Sequence, residues 1–317
     1  MSGIKIVFGG GPIQSNRAFG TVEILQEVFK ILKDGGVTTI DTARVYGESE
    51  DLLGAAHAGD HFIIDTKAPG VMAPGSVTRD GIAKVAAESL SKLGLDQVDV
   101  YYLHSHDESV PLEDTLAGIN DVYKRGMFKR FGLSNYHAPD VQKVYDHCKE
   151  KGYPLPTVYQ GNYNPVARKQ EELLFPTLRK LGIAFYAYSP LAGGFLTKTK
   201  QQVLDGAGRF DPSDFLGKMY SSMYARPSYL DALSQWHAIA KEEGCSTAAL
   251  AYRWVRYNSP LSPEHGDALI VGSRSIEQLK ETLEDANAGP LSKKAVEGID
   301  QIWKTIEHEA PLDNFHY

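Results

Sequence analysis

Short apolar runs alternate with amphipathic stretches along almost the whole chain. The runs are "KIVFGG" (5–10), "TTIDTA" (38–43), "FIIDTKA" (62–68), "VDVYYLH" (98–104), "KRFGLSN" (129–135), "TVYQGNY" (157–163), "IAFYAYSP" (183–190) and "ALIVGS" (268–273). Each is short and rich in β-branched or aromatic residues, the composition of a buried strand. Between them apolar residues recur every three or four positions, which predicts helices over 21–36, 48–57, 78–93, 112–125, 137–151 and 168–181, then a pair over 229–243 and 246–257. In 21–36, Val22, Leu25, Phe29 and Leu32 share one face, and Gly35-Gly36 supplies a helix stop. In 78–93, Thr78 is the expected N-cap and Ile82, Val85, Ala86 and Leu90 form the stripe.

Eight strands followed by helical segments predict an α/β fold, a (β/α)8 TIM barrel, as one domain over 1–317. The length beyond the usual ~250 residues falls in a long loop after strand seven (191–228) and an extra C-terminal helix (291–308). An open doubly wound sheet would want a G-x-G-x-x-G turn opening a helix. "GGGPIQSN" (9–16) has the glycines at the wrong spacing, with Pro12 behind them.

Composition narrows the function classes. The chain is 42% hydrophobic and 23% charged, with a net charge of −7, which fits a globular protein and argues against a nucleic-acid partner. Cys148 and Cys245 are too few for a disulfide framework and lack metal-site spacing, so no metal is expected. With no membrane-length apolar run and no signal-peptide pattern, the expected location is cytoplasmic.

In a barrel of this kind the chemistry sits at the C-terminal strand ends. Strand two ends at Asp41, strand three at Lys67, strand four at His104, and Tyr46 follows in the loop after Asp41. Taken singly, Asp41 reads as a turn cap and Tyr46 as a packing residue. Together the four exceed what core filling needs, because lysine is rarely buried unpaired. A phenol is a poor acid at neutral pH, an adjacent ammonium favours the phenolate, and a carboxylate holds the ammonium in place. Such a relay suits proton donation to a carbonyl oxygen, with His104 orienting it.

These motifs resemble the aldo-keto reductase superfamily over nearly the whole chain. "DTARVYGESEDLLG", "DTKA" and "YYLHSHD" are similar to its Asp/Tyr, lysine and histidine segments. "FGLSNY", "VYQGNYN" and "YAYSPLAGGFLT" are similar to its nicotinamide-binding segments. "ELLFPTLRKLGIAFYAYSPLAGGFLT", "GRF" and "HGDALIVGSRSIEQL" are closest to the aflatoxin-aldehyde reductase subgroup. The resemblance implies an NADPH/NADP+-dependent reduction of a small-molecule aldehyde or ketone, with Asp41, Tyr46, Lys67 and His104 as the catalytic tetrad. It implies that Ser134, Asn135 and Gln160 hold the nicotinamide carboxamide and that Tyr188 stacks on the ring. Ser189, Pro190, Leu191 and Gly193 would wrap the pyrophosphate, with Arg209 reaching the phosphates. Gly272, Ser273, Arg274 and Gln278 would take the adenosine end, Arg274 at the 2′-phosphate. Tyr224 and Arg226 are substrate candidates, and a homodimer is open by analogy with the subgroup. Three departures stand out: "FGGGPIQSN" lacks the subgroup's Gly-Thr-Met run, Thr282 replaces an asparagine, and Ser273-Arg274-Ser275 replaces Met-Ser-Ser.

Two other readings compete. A cofactor-binding regulatory subunit of a partner protein would bind but barely turn over. A barrel hydrolase or isomerase using Asp41 and His104 directly would not bind the cofactor.

Overall fold

The eight apolar runs form eight parallel strands, hydrogen-bonded in chain order and closed by β8 against β1. The computed structural model describes residues 3–316. The strands are β1 (Lys5–Gly9), β2 (Thr39–Asp41), β3 (Ile63–Ala68), β4 (Val98–Leu103), β5 (Phe128–Ser134), β6 (Pro156–Asn162), β7 (Ala184–Tyr188) and β8 (Ala268–Val271). The helices are α1 (Val22–Asp34), α2 (Ser49–Ala55), α3 (Arg79–Leu93), α4 (Leu112–Lys124), α5 (Ala138–Lys151), α6 (Gln170–Leu173) and α7 (Phe175–Leu181), then α8 (Lys200–Leu204), α9 (Phe215–Tyr224), α10 (Pro227–Glu243), α11 (Thr247–Arg253), α12 (Ile276–Asn287) and α13 (Lys293–Ile306). This is the expected (β/α)8 barrel, α13 being the extra C-terminal helix.

Local signals explain the elements. Thr21 caps α1 by accepting from the Ile24 N–H, and Leu25, Val28, Phe29 and Leu32 bury one face. Each such side chain contributes about 1.5–3 kcal/mol on burial. Thr78 caps α3 through the Gly81 N–H at 3.1 Å, and Gly94 ends it in the left-handed conformation. The periodic stretch 168–181 is two helices, not one. Pro176 lies in the first turn of α7, where its missing N–H is tolerated; inside a continuous helix it would not be. The loop 191–228 carries α8, α9 and two 3-10 turns. No helix is expected between 273 and 291, yet α12 lies there. Ser275 caps it, and Leu279, Leu283 and Ala286 are buried.

Two apolar layers result. A large one fills the space between strands and helices. A smaller one inside the barrel joins Val7, Val100, Tyr102, Val158, Ala184, Tyr186, Ala268 and Ile270. Gly132 makes room for the Tyr102 ring, since a Cβ there would lie 2.3 Å from it. Polar groups interrupt this inner layer from one side: Asp41 pairs with Asp65 in register, and Lys67 with Tyr102. Among the described residues no helix is long and apolar enough to cross a membrane, and no cluster of His, Cys, Asp and Glu is arranged to hold a metal.

Candidate active site

Lys67 on β3 is fully buried, and Asp41, the last residue of β2, is 2% exposed. The lysine Nζ donates to Asp41 Oδ2 at 2.6 Å and to the Thr42 carbonyl at 2.7 Å. The other Asp41 oxygen accepts from Gln160 Nε2 at 3.0 Å. Two buried charges are costly unless paired and hydrogen-bonded, and these are both. Burial alone would lower the lysine pKa, but Asp41, Tyr46 and Asp65 outweigh it and hold Lys67 above its ordinary value.

Tyr46 sits in the loop between β2 and α2, its ring centroid 5.2 Å from the Lys67 ammonium. The ring meets His104 edge-on, with centroids 5.7 Å apart. The expected acidification of this phenol is not the net result. Burial raises its pKa and outweighs the opposing pull of Lys67 and Arg209. His104, just beyond β4, has a buried Nδ1 with no partner among the described residues. Burial, then Lys67, holds its pKa well below the ordinary value. The imidazole is therefore neutral near pH 7.

Around these four, the ends of β5, β6 and β7 form a polar rim. Asn135 takes a left-handed φ of 57°. Its amide donates to the His104 carbonyl at 2.9 Å and to Ser134 Oγ at 3.0 Å. Its oxygen accepts from the Tyr188 hydroxyl at 2.8 Å. Ser189 and Ala192, also non-glycine, have φ of 55° and 52°. Such conformations are uncommon and concentrate at functional sites. Pro190 is buried and Leu191 half-buried in the same turn. Gly193 follows at φ 68°, and a Cβ there would lie 2.3 Å from the Tyr220 ring. Ser189 Oγ lies 3.4 Å from the Tyr220 hydroxyl, which accepts from Arg209 at 3.1 Å.

Beyond this rim cations gather. A Cβ on Gly208 would stand 3.4 Å from Arg274 Nη2 and 3.5 Å from Lys198 Nζ, so both charges converge there. Burial lowers the Arg274 pKa, and Arg209 and Arg17 lower it further. Burial, then Arg274, lowers that of Lys198. Four mutually repelling cations in a chain of net charge −7 form a site that an anion would relieve. Gly272 leads into it, where a Cβ would touch Pro12 at 4.0 Å, and the buried Ser273 Oγ has no partner among the described residues. Gln278 folds back to accept from the Arg274 N–H at 2.7 Å, shaping the entry to α12. This donor set fits the phosphates of a dinucleotide.

Two substrate candidates fall elsewhere. Tyr224 is fully buried. Its hydroxyl accepts from Asn162 and Asn164, each at 3.3 Å, and its ring stacks on Phe195 and Tyr220. It is a core residue with no open face. Arg226 stands just before α10, and its side chain is taken up by the Ser222 and Glu309 carbonyls, to which it donates. Thr282 is buried facing the Tyr252 hydroxyl. Conversely, Lys198, Arg17 and Tyr220 join the site without a signal in the sequence. Only the folding of the 191–228 segment and the β1 loop brings them there.

The family model described as "Aldo/keto reductase family" matches residues 5–304. "Oxidoreductase sirO" of Leptosphaeria maculans is 41% identical over 315 residues, covering 96% of this chain and 95% of that protein. "Aflatoxin B1 aldehyde reductase member 2" of Homo sapiens is 38% identical over 291 residues, 87% of this chain and 80% of its own. "Aflatoxin B1 aldehyde reductase member 4" of Homo sapiens is 36% identical over 299 residues, 90% of each.

Proposed function

The chain belongs to the aldo/keto reductase family, oxidoreductases acting on small carbonyl compounds, and on that premise we propose that it reduces an aldehyde or ketone to the alcohol with NADPH. The observation carrying this reading is the meeting of Tyr46, His104 and the Asp41–Lys67 pair at one mouth, beside a cluster of cations.

When bound, the reduced nicotinamide supplies a hydride to the carbonyl carbon. Tyr46 then gives its proton to the carbonyl oxygen as negative charge builds there. The raised pKa keeps that proton in place until the oxygen demands it. Lys67 stabilises the phenolate left behind, and Asp41 keeps the lysine charged and aimed. His104, neutral, orients the carbonyl oxygen by a hydrogen bond. Ser134, Asn135 and Gln160 would hold the carboxamide, and Tyr188, tethered to Asn135, would pack on the nicotinamide. The turn Ser189–Gly193 and Arg209 take the pyrophosphate. Gly272, Ser273 and Gln278 shape the adenosine end, where Lys198 and Arg274 meet the 2′-phosphate.

The test is titration with NADPH and NADH by intrinsic fluorescence, then an aldehyde panel read at the nicotinamide absorbance. Tyr46→Phe should bind NADPH as the wild type does and lose about 10²–10⁴-fold in turnover, the usual share of general acid catalysis. Full activity in that variant overturns the proton-donor role, and absence of NADPH binding overturns the reductase.

A further inference from the structure

Asp65 is a second carboxyl inside the barrel, and the reaction above gives it no task. It precedes Lys67 by two residues on β3, so both side chains face the interior, and it is the register partner of Asp41 on β2. It is fully buried. Oδ1 accepts the Val100 N–H at 3.0 Å. Oδ2, also buried, has no partner among the described residues.

The surrounding charges are accounted for. Lys67, above it on β3, is spent on Asp41 and the Thr42 carbonyl. Arg130 on β5 binds Asp99 on β4 through two contacts, at 2.5 Å and 3.3 Å. Tyr102 on β4 carries a buried hydroxyl with no partner among the described residues. Tyr186 on β7 takes its contacts from Arg130 and from Lys5 on β1. Two neighbouring carboxyls therefore share a single ammonium. With a proton on Asp65 the group Asp41–Lys67–Asp65 is electrically balanced; without it that group carries one net negative charge, and the further cation, Lys5 on β1, contacts Tyr186 and not Asp65.

We propose that Asp65 is a positioning residue of the reductase, protonated in the resting enzyme, whose ionisation cancels the lysine field that supports Tyr46 as proton donor. The proposal rests on the assignment of Tyr46 and Lys67 above. Burial, then Asp41 and Asp99, pushes the Asp65 carboxyl up to about 7, against the Val100 hydrogen bond and Arg130. Carbonyl reduction should accordingly fall as pH rises through this range, because the phenolate left on Tyr46 loses support. Stability carries the same signature. The folded carboxyl holds its proton above the unfolded value near 4, so its contribution is complete below about pH 4. It is lost as pH rises to about 7, and within that window the unfolding constant rises about tenfold per pH unit.

Asp65→Asn keeps an acceptor for Val100 and removes the titration; Asp65→Ser is the second variant should the first fold poorly. Three readouts are compared with the wild type: the protonated-carboxyl C=O band by difference infrared at pH 6 and pH 8.5, the pH profile of unfolding in urea, and the pH profile of kcat with NADPH and the aldehyde of the panel turned over fastest. Support is a band present at pH 6, lost at pH 8.5 and missing from the variant, together with loss of the kcat limb near pH 7 in the variant. Absence of the band at pH 6 overturns the proposal. A band with superimposable kcat profiles in wild type and variant overturns the link to Tyr46, while an inactive Tyr46→Phe enzyme leaves the reductase mechanism standing. A fully active Tyr46→Phe enzyme overturns both.

Discussion

At the scale of the residue, the site is built from charges placed where they need partners. Arg274 and Lys198 converge over Gly208, and Arg274 adds to burial in lowering the Lys198 pKa. An anion delivered there gains a charge-assisted hydrogen bond worth about 1.5–3 kcal/mol. Arg274→Ala should therefore weaken NADPH binding about 10- to 100-fold and NADH binding far less, read by fluorescence titration. Equal weakening of both would move Arg274 away from the 2′-phosphate. The Asp41–Lys67 pair is fully enclosed. Asp41→Asn removes the carboxylate hydrogen-bonded to the buried ammonium and should cost about 3–5 kcal/mol in urea denaturation. The double variant Asp41→Asn, Lys67→Met should recover much of that stability while staying inactive. Asp41, Lys67 and His104 were legible as candidates from their positions at strand ends, and Tyr46 from the loop behind β2. The direction of the Tyr46 pKa was not, because it depends on how completely the loops after β1 and β7 enclose the ring.

At the scale of the element, the strands and most helices followed from periodicity, and the misses have local causes. Helix α12 shows the three- and four-residue spacing and a Ser cap, but directly follows a segment that reads as a ligand loop. Tyr224 shows how an aromatic in an insertion misleads: its helix, α9, turns the ring into the core and leaves Tyr220 beside the site. Some junctions depend on one side chain. Asp267, 1% exposed, accepts from Arg179 on α7, from the Phe185 N–H on β7 at 2.7 Å and from the Ser262 N–H at 2.9 Å. Asp267→Ala strands all of these donors and should cost about 3–5 kcal/mol, measured by chemical denaturation. Glycine serves α2 differently: a Cβ on Gly54 would lie 2.0 Å from the Lys92 carbonyl of α3. Gly54→Ala should push these helices apart at a cost of about 1–3 kcal/mol.

At the scale of the whole molecule, closure of the barrel puts groups from β1 through β8 into one electrostatic unit, so pH acts on fold and site together. His104 is held neutral in the folded state and protonates freely near pH 6.5 when unfolded. The unfolded chain then binds more protons, so this contribution is present above that pH and lost as pH falls below it. Asp65 works in the opposite sense between about pH 4 and 7. The two slopes offset each other on the acid side. In His104→Gln the acid-side loss should disappear, and the variant's stability relative to wild type should rise as pH drops from 7 to 5, by at most about tenfold per unit in the unfolding constant. A constant offset across that range would show that His104 titrates normally in the folded chain.

The sequence by itself determined the barrel and the family, because strand and helix periodicity, caps and strand-end residues are written in short windows. It also determined which residue types line the mouth. Only the tertiary structure decided what those residues do to one another: that Gln160 braces Asp41, that Asn135 ties His104 to Tyr188, that Lys198 and Arg17 join the cation cluster, and that Asp65 lies beside Asp41, which binds the Lys67 ammonium. Those relations join positions 24 to 257 residues apart. Desolvation and Coulomb energies depend on distance and enclosure, which no local window of the chain contains.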